Sequence, residues 1–76
     1  MRFRIYHAWL AQVPDGTAAE ELPSLAAGYD HAVSTLSLEV PPGTPECIGR
    51  LACRGRLFEE GLTANDSISF IQKEDV

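Results

Sequence analysis

Residues 44–61 read TPECIGRLACRGRLFEEG, and whether they coil into one helix or fold back as a hairpin decides the architecture of the whole chain. Thr44 followed by Pro45 is a favoured pairing of N-cap and first helical residue, because the proline gives up an amide that has no partner in the first turn anyway. Glu46 then places a carboxylate where the helix dipole is positive. At the far end Gly61 can take the left-handed conformation that stops a helix. At 100° per residue, Cys47, Ile48, Leu51, Ala52, Gly55, Phe58 and Leu62 gather within roughly 140° of arc, so this face is expected to pack on the core. Arg50, Cys53, Arg54, Arg56 and Glu60 fall largely outside it. The expectation is a single amphipathic helix that shelters Cys47 and leaves Cys53 in water.

The flanking segments carry strand patterns. RFRIYHAWL (residues 2–10) alternates, with Phe3, Ile5, His7 and Trp9 on the expected core face and Arg2, Arg4, Tyr6 and Ala8 on the other. Val13, Pro14, Asp15 and Gly16 supply a turn. VSTLSLEV (residues 33–40) points Leu36, Leu38 and Val40 one way and Thr35, Ser37 and Glu39 the other, and Pro41, Pro42 and Gly43 end it. SISFIQ (residues 67–72) alternates again after Asn65 and Asp66. Between the first two strands, Thr17 and Glu20 have capping-box spacing. Pro23 is expected to stop the short helix they open, leaving SLAAGYDH irregular. The fold class is therefore α+β: a small β-sheet of three or more strands packed on one main α-helix, in the order strand, irregular insert, strand, helix, strand.

TLSLEVPPGT (residues 35–44) and NDSISFI (residues 65–71) resemble the β-grasp, or ubiquitin-like, superfamily. There a strand ending in a Pro-bearing turn feeds a Thr-capped helix, and an Asp-bearing turn leads into a final central strand. A competing alignment lies in the same chain: CRGRLFEEGLT (residues 53–63) resembles the hairpin after the helix in ubiquitin, with Gly55 and Gly61 at its turns. The two exclude each other, because too few residues separate Thr44 from Gly55 for a helix, a loop and a further strand. The resemblance implies a β-grasp-like fold serving as an interaction module. Modifiers and sulfur carriers of that superfamily end in an activated Gly-Gly tail, whereas this chain ends QKEDV, so conjugation by that chemistry is not expected.

With 76 residues the chain is read as one domain, 1–76, near the size where a single core yields only a few kcal/mol of net stability. No run approaches the roughly 20 apolar residues that cross a bilayer, so no membrane partner is expected. Arg2 and Arg4 are interleaved with Phe3 and Ile5, unlike a secretory leader, which points to the cytoplasm. A disulfide is not expected, since six helical residues rise about 9 Å and a disulfide tolerates Cα separations of only about 7 Å.

Charge is lopsided. Net charge is -5, and from Ile5 to Gly49 there is no Lys or Arg while Asp15, Glu20, Glu21, Asp30, Glu39 and Glu46 all lie there. Such a surface repels phosphate backbones and attracts basic partners, which argues against direct nucleic-acid binding.

Catalytic, cofactor and metal sites are not expected. His7, His31, Cys47 and Cys53 lack the paired spacing of a zinc site. Cys53, with Arg50, Arg54 and Arg56 around it, is the better candidate for an activated thiol, and Asp30 could orient His31, but nothing in the sequence joins residues 31 and 53. The glycines at 43, 49, 55 and 61 lack the pattern and lysine of a phosphate loop. The expected function is a non-catalytic, acidic protein–protein interaction module, an inhibitor or adaptor that occupies a basic surface of a protein partner. Its expected contact residues are Asp15, Glu20, Glu21, Leu22, Leu25, Tyr29 and Asp30, which combine electrostatic steering with apolar and aromatic anchors. In character, with no sequence match behind the comparison, it is similar to the short acidic inhibitors of bacteriophages, anti-CRISPR proteins included. The alternatives are a small accessory subunit or assembly factor of a multi-component enzyme, and a small thiol enzyme acting through Cys53.

Overall fold

In a computed structural model that describes residues 1–74, the chain is α+β. Three antiparallel-paired strands, β1 (Arg2–Trp9), β2 (Val33–Glu39) and β3 (Ser67–Glu74), form a sheet in the order β2-β1-β3. One short helix, α1 (Leu22–Ala27), precedes β2, and one long helix, α2 (Glu46–Glu59), joins β2 to β3. Residues 51–59 are helical, so the hairpin alternative does not occur. The QKEDV ending that bears on conjugation includes residues 75 and 76, which lie outside the described residues.

β1 is central, with Ile5 opposite Leu36 on one side and Ile71 on the other. Both neighbours run antiparallel to it and hence parallel to each other, which requires the crossover that α2 supplies. Because side chains alternate along a strand, β1 feeds two cores. On one face Phe3 and Ile5 pack with Cys53 and Leu57 of α2, flanked by Leu36, Leu38, Leu62 and Ile71. On the other, Tyr6 and Ala8 pack with Val13, Leu22 and Val33, flanked by Leu25, Ala26, Ile68 and Phe70. Complete burial of Phe3, Ile5 and Leu22 stabilises the fold by about 1.5–3 kcal/mol each before entropy is counted. The two-sided core corrects the expectation of a single core face on β1: the Tyr6 and Ala8 face is buried as well, because the segment expected to be irregular is a packed layer.

That layer forms because Pro23 opens a helix instead of ending one. It sits in the first turn of α1, where its missing amide costs nothing. The capping pair is also shifted by one residue: the Glu21 carboxylate accepts from the Ala18 amide at 3.3 Å, while the Thr17 hydroxyl donates to the Pro14 carbonyl at 2.5 Å.

The extent of α2 is close to what the sequence suggests, but its start is shifted by one residue: Pro45 is the N-cap, without a side-chain cap, and the Thr44 hydroxyl donates back to the Pro41 carbonyl at 2.6 Å instead of capping the helix. The buried face is also reversed. Gly49, Cys53 and Leu57 face the sheet, while Ile48, Leu51 and Phe58 are 50%, 61% and 74% exposed. The Phe3 ring lies so close over Gly49 that a Cβ there would overlap it, so the face that turns inward is the one that carries this glycine, with Cys53 and Leu57 one and two turns on. Cys53 is thus buried and Cys47 exposed, the opposite of the expectation; both are free thiols. Arg50 ties the helix to β3 by donating to the Ile71 carbonyl at 3.0 Å.

Candidate interaction surface

Both helices end in the same backbone motif, and the difference between them singles out one residue. In α2, the Gly61 amide donates to the Phe58 carbonyl and the Leu62 amide to the Leu57 carbonyl, with Gly61 at φ +73°. In α1, the Tyr29 amide donates to the Ala26 carbonyl and the Asp30 amide to the Leu25 carbonyl, with Tyr29 at φ +62°. Each is the paired-bond helix terminus that places its left-handed residue just past the cap. Glycine is the usual occupant because a Cβ costs about 1–2 kcal/mol in that conformation. α1 instead carries Gly28 one position too early, in ordinary backbone at φ −82°, and puts a tyrosine where the strain falls. The Tyr29 side chain is 87% exposed, so few contacts offset that strain.

Around it the expected contact residues divide. Leu22 is fully buried in the core under the sheet, and Leu25 is half-buried against it, so neither is a free anchor; their i, i+3 spacing puts both on the face of α1 that packs on the sheet. Asp15, Glu20 and Glu21 are exposed. Asp30 is half-buried, and its carboxylate accepts from the Ala32 amide at 2.9 Å, closing the turn into β2. Among the described ion pairs none involves these four acids. Arg2 pairs with Glu39, Arg4 with Glu74, Arg50 and Lys73 with Glu46, and Arg56 with Glu60, all on or beside the sheet edges and α2. The acidity of the α1 layer is therefore uncompensated within the described chain.

The remaining chemistry-bearing residues are dispersed. His7 is 2% exposed, its Nε2 has no hydrogen-bond partner among the described residues, and its ring stands edge-on to half-buried Trp9 at 5.0 Å. Burial lowers its pKa below the usual histidine range. Burial pushes the Cys53 thiol up, and nearby Arg50 opposes this in part; a buried, protonated thiol is the reverse of the activated one considered from sequence. His31 is exposed, as is Cys47. Among the described residues no three His, Cys, Asp or Glu side chains converge as metal ligands. A groove of about 530 Å³ at one end of the sheet, lined by Met1, Arg2, Glu39, Val40, Pro42, Lys73 and Glu74, includes none of the expected contact residues.

Sequence reasoning missed the outward row of Ile48, Leu51 and Phe58. The signal was present as an apolar stripe but was assigned to the core. No helix among the described residues is long and apolar enough to cross a membrane. Comparison with protein-family models, with curated proteins and with solved structures gives no match.

Proposed function

We propose that the protein is a non-catalytic interaction module whose acidic α1 layer docks on a basic surface of a protein partner, as an inhibitor or adaptor. The observation that carries this reading is Tyr29: a large aromatic side chain, 87% exposed, held at a backbone position that favours glycine. Backbone strain held by the helix-terminus hydrogen bonds but offset by few side-chain contacts supports a position kept for another purpose. An aromatic of this size brings about 150–250 Å² of contact area, enough to anchor an interface, and tyrosine is among the residues that most often do so. Asp15, Glu20, Glu21 and Asp30, with no basic side chain paired to them among the described residues, supply long-range attraction that speeds encounter and selects basic partners.

The test is affinity capture from the native host with the wild type, Tyr29→Ala and the charge-reversed variant Asp15→Lys/Glu20→Lys/Glu21→Lys, followed by association kinetics with the captured protein. Tyr29→Ala is expected to speed dissociation. Charge reversal is expected to slow association and flatten its salt dependence. Unchanged kinetics in both variants would remove the α1 layer from the interface. Loss of the partner's activity on binding identifies an inhibitor, whereas activity that requires the chain identifies the accessory-subunit alternative.

A further inference from the structure

The outward face of α2 has the spacing of a coiled-coil seam. Written as a heptad, Ile48 and Gly55 occupy a positions and Leu51 and Phe58 occupy d positions; Gly49, Cys53 and Leu57, which pack on the sheet, fall at b, f and c on the opposite side. The helix is thus two-faced, with one apolar stripe on the sheet and the other facing away from the molecule. The seam is flanked by Arg54 at g and Glu59 at e. Among the described ion pairs the other two arginines of α2 find partners one turn away, Arg50 in Glu46 and Arg56 in Glu60, while Arg54 and Glu59 enter none.

We propose that this face is covered by a second copy of the chain, through parallel packing of α2 on α2 about a two-fold axis along the seam. Charge complementarity selects the occupant and its direction. In a parallel pair a g residue meets the e residue five positions further along the partner helix, so Arg54 meets Glu59 of the other copy, twice by symmetry. An antiparallel pair would set arginine against arginine and glutamate against glutamate. The area is sufficient for a modest dimer. Ile48, Leu51 and Phe58 together expose roughly 400 Å² per copy, and with the flanking side chains about 1,000 Å² is removed from water in total, the lower edge of specific interfaces. Gly55 at the seam lets the helix axes approach closely, and the unpaired carboxylates of the α1 layer lie on the other face of each sheet, away from the contact. Interfaces of this size belong with the weak and transient ones, so the expected dissociation constant is on the order of micromolar or weaker. The assembly presents two acidic surfaces pointing apart; the seam itself involves none of the residues in the functional reading above, so either can fail without the other.

The experiment is sedimentation equilibrium on the full chain from about 1 µM to about 1 mM, a range that brackets such a constant. The mass is expected to rise from the 8.3 kDa monomer to twice that value. Phe58→Glu, at a largely exposed position, is expected to remain monomeric with an unchanged thermal melt. Arg54→Glu and Glu59→Arg are each expected to weaken self-association at least about tenfold, while an equimolar mixture of the two associates, because their seams are then complementary. Leu51→Cys in a Cys47→Ser background is expected to cross-link to itself under mild oxidation, since d positions meet in a parallel pair. A wild type that stays monomeric throughout overturns the proposal, including the case in which Phe58→Glu instead loses a captured partner protein. A dimer indifferent to Phe58→Glu overturns the assignment of the face. A dimer indifferent to both charge exchanges, with no cross-link at position 51, overturns the parallel arrangement.

Discussion

Replacing Tyr29 by glycine should make the protein more stable. Tyr29 is the left-handed residue of the α1 terminus, at φ +62°, and its side chain is 87% exposed. Removing the Cβ recovers about 1–2 kcal/mol of backbone strain. The greater freedom of glycine in the unfolded chain returns about 0.5–1 kcal/mol of that. With few side-chain contacts to lose, the net gain is about 0.5–1 kcal/mol, which for a domain of this size raises Tm by roughly 2–8 °C. Urea unfolding followed by the fluorescence of the single tryptophan, Trp9, measures the change, with an unchanged m-value showing that the denatured state is comparable. The second helix supplies the control: Gly61 occupies the equivalent position of α2 at φ +73°, so Gly61→Tyr should lose about as much as Tyr29→Gly gains. A Tyr29→Gly variant that is less stable than the wild type would refute the reasoning. It would mean that the tyrosine ring contributes to the fold, and the argument that its position is held at a cost for binding would fall.

Other perturbations test the packing. Gly49→Ala should destabilise by about 1–2 kcal/mol, because overpacking against Phe3 costs about 1–3 kcal/mol and the better helix propensity of alanine recovers only part; adding Phe3→Leu should restore much of the loss in urea titrations. His7 has a folded pKa depressed by burial, so its contribution is complete above the unfolded value near 6.5 and is lost as pH falls from there through the folded pKa. Unfolding free energy should therefore fall on acidification below about pH 6.5 by up to about 1.4 kcal/mol per pH unit from this group, and His7→Phe should remove that part of the slope. Native protein should show one fast thiol towards an aromatic disulfide reagent, from Cys47, while Cys53 reacts only through opening, more slowly by about a thousandfold or more; two fast thiols would contradict the buried position of Cys53.

The strands and the ends of α2 were legible because their signals are local. Alternation in residues 2–10 and 33–40, Pro45 at the helix start and Gly61 at its stop each act within a few residues. The inward face of α2 was not, because it is set by a contact between Phe3 and Gly49, which lie far apart in the chain. A helix with apolar residues on two sides offers two solutions, and the sequence pattern favours the bulkier one, whereas the room beneath it admits only the smaller. Pro23 misled for a related reason: a proline breaks a helix that has begun but suits one that is beginning, and burial of Leu22 under the sheet decides which. Of the expected contact residues, Asp15, Glu20, Glu21 and Tyr29 are exposed and Leu22 is core; the apolar residues of so short a helix cannot be divided into core and surface until the layer they cover is known. The strain at Tyr29 leaves its trace in the sequence only as a glycine standing one position early.

The middle strand of the sheet precedes both of its neighbours in the chain. β1 spans Arg2–Trp9, yet its second edge is filled only by Ser67–Glu74, with Arg2 facing Glu74. Closing so large a loop is entropically costly before any cross-strand contact rewards it, which places folding among the slower, non-local topologies for its size. Until the final strand arrives, Phe3, Ile5, Tyr6 and Ala8 belong to a two-stranded ribbon with an open hydrogen-bonding edge, a species prone to pairing with other chains. Synthesis from the amino end therefore produces the sheet's axis first and its completion last, so docking of β3 is the step on which escape from aggregation turns.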